Sequence, residues 1–188
     1  KYVNVSSTIR TRSYENINYI LSIAKKMCYK RTLLFVFISL ICNSILGQRY
    51  IFVSKTELKL SVIQNSDTIF QCPIAVGKNY GNKMKIGDMK TPEGNFTICS
   101  IENSTQWKHD FKDGKGVRKG AYGPFFFRLK IPQFNSIGIH GTCKPESIGT
   151  RDSEGCIRLH NNDLQRLRDL IYLGMSVIIN KDEYVYAK

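Results

Sequence analysis

From residue 49 to about residue 100 the chain alternates apolar and polar positions with a period near two, interrupted by short polar clusters. Arg49-Tyr50-Ile51-Phe52-Val53 and Glu57-Leu58-Lys59-Leu60-Ser61-Val62-Ile63 each offer one apolar face, and Gln64-Asn65-Ser66-Asp67 reads as a turn into a third strand at 68–76. Together they predict an antiparallel meander. Residues 77–94 are rich in glycine and lysine and end in Thr91-Pro92-Glu93-Gly94, a turn signal ahead of a strand at 95–100. The polar stretch 105–123 predicts a long binding or lid loop. Strands follow at 124–130 and 136–140; in the second, Ile137 and Ile139 share one face while Gly138 and His140 share the other. One helix is expected next. Asn161 or Asn162 is its N-cap, Leu164, Leu167, Leu170, Ile171 and Leu173 recur at helical spacing as a core stripe, and Gly174 is the stop. A buried strand at 175–180 closes the pattern.

The first 47 residues follow none of this. Residues 1–26 have no sustained period and are read as an uncommitted extension. Residues 27–47 place Lys30 and Arg31 before the apolar run Leu33-Leu34-Phe35-Val36-Phe37-Ile38-Ser39-Leu40-Ile41, with small residues at Ser44 and Gly47. That order reads as a signal peptide. The run is shorter than the roughly 20 residues a spanning helix needs, so membrane contact is expected only through this segment if it stays uncleaved. Export, to a periplasm or cell wall, is the expected destination, and residues 48–188 are the expected folded domain.

Composition narrows the partners. With 188 residues and 42% hydrophobic content the chain supports one well-buried core. The net charge is +13, but residues 1–47 hold seven Lys or Arg and one Glu, so the domain carries 21 basic and 14 acidic residues, or +7. The basic residues are scattered rather than interleaved with aromatics, which excludes a nucleic-acid stripe and favours an anionic envelope polymer or a merely solvated surface. Four cysteines, Cys72, Cys99, Cys143 and Cys156, fall in the domain; a Cys72–Cys99 bridge and buried free thiols are both open.

The chemistry concentrates on Cys156. It follows Gly155, and His140 ends a strand that can be brought beside it, the minimum for covalent acyl transfer. A thiol must be activated to serve as nucleophile, and an adjacent imidazole does this. Gly155 allows a tight backbone and offers N–H groups to an oxyanion. Arg158 lies on the same strand face as Cys156, either for a substrate carboxylate or for a structural ion pair. The alternative is a zinc set of His140, Cys143, Cys156 and His160, whose spacings suit chelation. Trp107 and Tyr122 are candidates for stacking on substrate or for packing at a loop base. His109 reads as a solvated loop residue.

The segments Ile139-His140-Gly141-Thr142, Ser147-Ile148-Gly149, Ser153-Glu154-Gly155-Cys156-Ile157-Arg158-Leu159, Asn161-Asn162-Asp163, and Gly174 with Val177-Ile178 resemble, in order and spacing, the L,D-transpeptidase (YkuD-type) catalytic domain. Gly77 and Thr91-Pro92-Glu93-Gly94-Asn95-Phe96 resemble its N-terminal strands. The resemblance implies a mainly β, barrel- or sandwich-like domain with one main helix after the cysteine segment. It implies an enzyme, monomeric and without metal or organic cofactor, acting on peptidoglycan stem peptides. Cys156 would be the nucleophile and His140 the general base, with Gly155, Gly141, Ser153 and Arg158 as oxyanion donors or supports. An amine acceptor would give a cross-link and water would give L,D-carboxypeptidase action; a non-catalytic wall-binding module is the alternative outside catalysis. Two positions depart from the family pattern: Glu154 replaces a histidine, and Cys143 stands where asparagine is common. Glu154 is expected either to disfavour the thiolate or to orient His140. Cys143 is either an inert thiol or a redox partner of Cys156.

Overall fold

In the computed structural model, residues 49–182 are described. The expected extension and signal peptide lie outside them. The chain forms β1 (Tyr50–Ser54), β2 (Lys59–Gln64), β3 (Asp67–Pro73), β4 (Val76–Gly77) and the long β5 (Gly94–Asn103). It continues with β6 (Lys108–Asp110), β7 (Val117–Lys119), β8 (Phe125–Leu129), β9 (Gly138–His140), a 3-10 turn at Pro145–Ser147, β10 (Arg151–Ser153) and β11 (Ile157–Arg158). Helix α1 (Asn161–Arg168) and β12 (Ser176–Ile179) complete the domain.

The expected meander is present. β1, β2 and β3 are consecutive antiparallel neighbours, and Asn65 and Ser66 turn the second hairpin with φ of 53° and 70°, the left-handed pair that matches the twist of the flanking strands. The main sheet runs β11-β9-β8-β5-β12-β1-β2-β3. Its two ends then meet: the chain leaving β3 pairs with β11, Ala75 N–H donating to Arg158 O and Arg158 N–H to Ala75 O, both at 2.9 Å. The sheet therefore curls into a barrel-like form whose seam lies beside Cys156. Ile51, Val53, Leu60, Val62, Ile98, Phe127, Leu129, Ile139, Ile157, Val177 and Ile179 fill its interior, and Leu164 and Leu167 of α1 pack against them.

Three expectations need correction. The stretch 105–123 is not a plain loop but carries the β6–β7 ribbon, in which His109 faces Arg118 across the ladder. The helix ends at Arg168, with Asp169 as C-cap, so Leu173 is exposed rather than part of a core stripe. The N-cap is His160, not Asn161 or Asn162. Asn161 is occupied elsewhere: its Oδ1 accepts from Thr142 N–H at 2.9 Å and its Nδ2 donates to Thr142 O. The start of α1 is thereby bolted to the segment that follows His140. Cys72, Cys99, Cys143 and Cys156 are all unbridged; Cys72 is buried, and burial pushes its thiol up to about 12, whereas Cys99 is exposed.

Candidate active site

The cysteine turn is built by one hydroxyl and one glycine. Ser153, fully buried, accepts a hydrogen bond from Gly155 N–H at 3.1 Å and donates through the same Oγ to Cys156 O. Gly155 has φ of 133°, and a Cβ there would lie 2.7 Å from Lys90 O, so neither the conformation nor the space admits a side chain. Gly155 N–H is thus committed inside the turn, which corrects the expectation that it serves an oxyanion. The Ser153 hydroxyl thus spans the turn from Gly155 to Cys156.

β11 runs parallel to β9, with Arg158 opposite His140 and Ile157 opposite Ile139. Cys156 accordingly falls beside Gly138, whose N–H donates to its sulfur, while the thiol donates to Ser136 O at 3.4 Å. Gly138 leaves room for Phe126: a Cβ would lie 2.3 Å from that ring. The ring in turn stacks on His140, with centroids 5.4 Å apart and planes at 13°. His140 is buried, and its Nδ1–H donates to Gly141 O at 2.6 Å. That bond assigns the proton to Nδ1 and leaves Nε2 as the basic nitrogen. Gly141 therefore contributes its carbonyl, as a support for the imidazole.

Cys156 and His140 line one cleft of about 460 Å³, together with Tyr122, His109, Glu154 and Arg158. Burial pushes the Cys156 thiol up; the Gly138 N–H and the positive charges of Arg158 and Lys83 pull against this, and Glu154 adds to it. Burial also drives His140 down to about 3, against the hydrogen bond to Gly141. The resting pair is consequently a neutral thiol and a neutral imidazole. Burial raises the Tyr122 hydroxyl as well, and its ring tilts onto His140 with centroids 4.9 Å apart.

Arg158 is 3% exposed and donates from Nη1 to Asp152 at 3.0 Å, which favours the structural ion pair of its two expected roles. Of the two roles expected of Glu154, disfavouring the thiolate fits its charge beside Cys156, and orienting His140 does not. Its carboxylate meets His109, not His140, with Oε1 3.3 Å from Nε2. His109 is correspondingly a wall of the cleft rather than a solvated loop residue. Trp107 is not among the cleft residues; it packs behind Tyr122 and Phe126, at centroid distances of 5.7 and 5.4 Å. Lys83, which sequence reading passed over, also lines the cleft, paired with Asp88 at 2.8 Å. Its signal was absent because it sits in a lysine-rich stretch where every lysine reads alike. His140, Cys143, Cys156 and His160 do not form a metal-ligating group among the described residues.

The comparisons agree with this fold. The family model for the L,D-transpeptidase catalytic domain, YkuD, matches residues 48–179. YqjB of Bacillus subtilis, named as a candidate L,D-transpeptidase, is 31% identical over 141 residues, 74% of this chain and 76% of the relative. Among solved structures, the helical cell shape determining protein Pgp2 of Campylobacter jejuni is 25% identical with a TM-score of 0.53, over 76% of this chain and 52% of that one. The catalytic domain of the E. faecium L,D-transpeptidase shares the fold at a TM-score of 0.53 and 20% identity, over 71% of this chain and 98% of that domain. The chain thus spans nearly all of an isolated catalytic domain but about half of a longer relative. With the family model matching from the first strand of the barrel to the last, and a relative 31% identical over three quarters of both chains, the chain belongs to the L,D-transpeptidase catalytic-domain family.

Proposed function

We propose that the protein is an exported cysteine L,D-transpeptidase that acts on peptidoglycan stem peptides in a periplasm or cell wall. The observation that carries this is the shared cleft of Cys156 and His140, with His140 Nδ1 tied to Gly141 O. His140 Nε2 takes the thiol proton as the sulfur attacks the carbonyl of the L-configured centre. Because the resting groups are neutral, proton transfer accompanies attack instead of preceding it. The imidazolium so formed is a strong acid in its buried setting, suited to protonating the departing D-alanine amine. Cys156 N–H is the oxyanion donor we assign, since Gly155 N–H is engaged by Ser153. The resulting thioester is resolved by an amine of a second stem peptide. Lys83 and Arg158 lend the cleft positive charge that suits the carboxylates of such peptides.

Two measurements test the reading. Intact mass after exposure to a carbapenem is expected to show one adduct, abolished by Cys156→Ala; an adduct that survives the substitution overturns the nucleophile. Incubation with tetrapeptide muropeptides is expected to yield cross-linked dimers, and a product of tripeptide alone would make the enzyme a carboxypeptidase.

A further inference from the structure

The β6–β7 ribbon delivers a second imidazole to the cleft. His109 Nε2 lies 3.3 Å from Glu154 Oε1, and its Nδ1 lies 3.1 Å from the Tyr122 hydroxyl. The side chains of His109 and Glu154 are 26% and 43% exposed, so a molecule entering the cleft meets them, whereas His140 is buried. Tyr122 stands between the two imidazoles, its ring 4.9 Å from His140 and 5.7 Å from His109. With Glu154 at Nε2, the neutral His109 donates there and accepts at Nδ1 from Tyr122. The charged groups that share the ribbon or the cleft with His109 are Glu154 from the cysteine turn, Arg118 across the ladder, and Lys83, Asp110, Lys112 and Arg158 along the cleft. Of these, Glu154 is in contact.

Aminolysis of an acyl-enzyme has a proton requirement that acylation lacks. A primary alkyl amine, with a pKa of about 10.4, arrives as an ammonium and must lose one proton before it has a lone pair. It loses a second as the amide forms. His140 has one free nitrogen, since Nδ1 is committed to Gly141.

Resting on the acyl-enzyme reading above, we propose that Glu154, His109 and Tyr122 form the acceptor site: Glu154 attracts the ammonium of the acceptor beside Cys156, and His109 takes its first proton through the Tyr122 hydroxyl. The ammonium passes a proton to the Tyr122 oxygen as the Tyr122 O–H proton moves to His109 Nδ1. This leaves a free amine and an imidazolium held by Glu154. The amine lone pair then forms the C–N bond at the thioester carbonyl. The C–S bond breaks with its electron pair on sulfur, and the second amine proton travels through His140 Nε2 to restore the thiol. His109 returns its proton to solvent. Water needs no prior deprotonation of this kind, so the site favours cross-linking over hydrolysis. The glutamate that replaces the usual histidine is, on this view, the acceptor-facing half of a rebuilt pair.

The test compares wild type, Glu154→Gln and His109→Gln in the full protein, with carbapenem adduct formation reporting acylation and tetrapeptide muropeptides reporting dimer against tripeptide. At pH 7, dimer formation in the variants is expected to fall roughly tenfold or more beyond any fall in adduct formation. Tripeptide release should persist, and the dimer yield should recover toward pH 9 as free amine accumulates. Parallel loss of dimer and adduct, unchanged dimer formation, or a wild type that takes the adduct but releases only tripeptide each overturns the proposal. A wild type that takes no adduct refutes the acyl-enzyme itself, and this proposal with it.

Discussion

Lowering the pH from 7 to 4.5 loads one buried imidazole with a free-energy cost that can be measured. His140 is held neutral in the fold, its pKa driven to about 3 by burial, against an ordinary value of 6.5. In the unfolded chain the same ring takes up a proton as the pH falls below 6.5. The stability that depends on keeping it neutral is therefore complete above that pH and is lost progressively toward pH 3. Two units below 6.5, at about 1.4 kcal/mol per unit, the loss is about 3 kcal/mol at pH 4.5. Urea denaturation of wild type and His140→Gln at both pH values isolates it. Carboxylates such as Asp113, held low by its hydrogen bond from Lys144, and Glu102, held low by Arg128, contribute to acid destabilisation equally in both proteins. Wild type should lose about 3 kcal/mol more than the variant. An NMR titration of the His140 ring checks the same point without a variant. Equal losses in the two proteins, or a ring that titrates near 6.5, would refute the reasoning.

Gly138→Ala should drive the new Cβ into the Phe126 ring and Phe127 O, at 2.3 and 2.7 Å, costing about 1–3 kcal/mol and slowing adduct formation at Cys156; an unchanged thermal midpoint would contradict this. Ser153→Ala removes the acceptor of Gly155 N–H and the donor to Cys156 O in a fully buried turn, for an expected loss of about 1–3 kcal/mol by denaturant titration, with slower carbapenem acylation. Lys55→Met breaks a buried ion cluster in which Lys55 Nζ meets Glu93 at 2.7 Å and Asp182 at 3.0 Å, and should cost about 3–5 kcal/mol by the same measurement.

What could be read from the sequence was whatever local patterning specifies. The meander from Tyr50 to Pro73 followed from alternation and the Asn65-Ser66 turn, and the strand carrying His140 from the spacing of Ile137 and Ile139. The ribbon did not, because Lys108-His109-Asp110 and Val117-Arg118-Lys119 are too short and too polar to show an apolar period. Helix α1 is shorter than its apolar spacing predicts because Leu170, Ile171 and Leu173 continue a helical spacing after the chain has already turned at Asp169. At the site, motif order marked Cys156 and His140, which line one cleft, but the contact of Glu154 with His109 joins segments with no local relation. Neither residue type nor spacing announces such a contact. The opposed demands on Gly155, strained backbone and no room for a side chain, were foreshadowed by the glycine itself, though its spent N–H was not.

The seam at Ala75 and Arg158 bears on when, as well as where, the site exists. These two hydrogen bonds join segments far apart in the chain, the kind of non-local contact whose loop-closure entropy must be met before it gives anything back. The cysteine turn lies just ahead of β11, so it acquires its wall only when the sheet has curled and the seam has zipped. Until then Cys156 is an ordinary thiol on an open edge. The wall of the cysteine turn is in this sense expected to form late in folding, and substitutions that loosen the seam should show first as a reagent-accessible Cys156 in chains that still retain their strands.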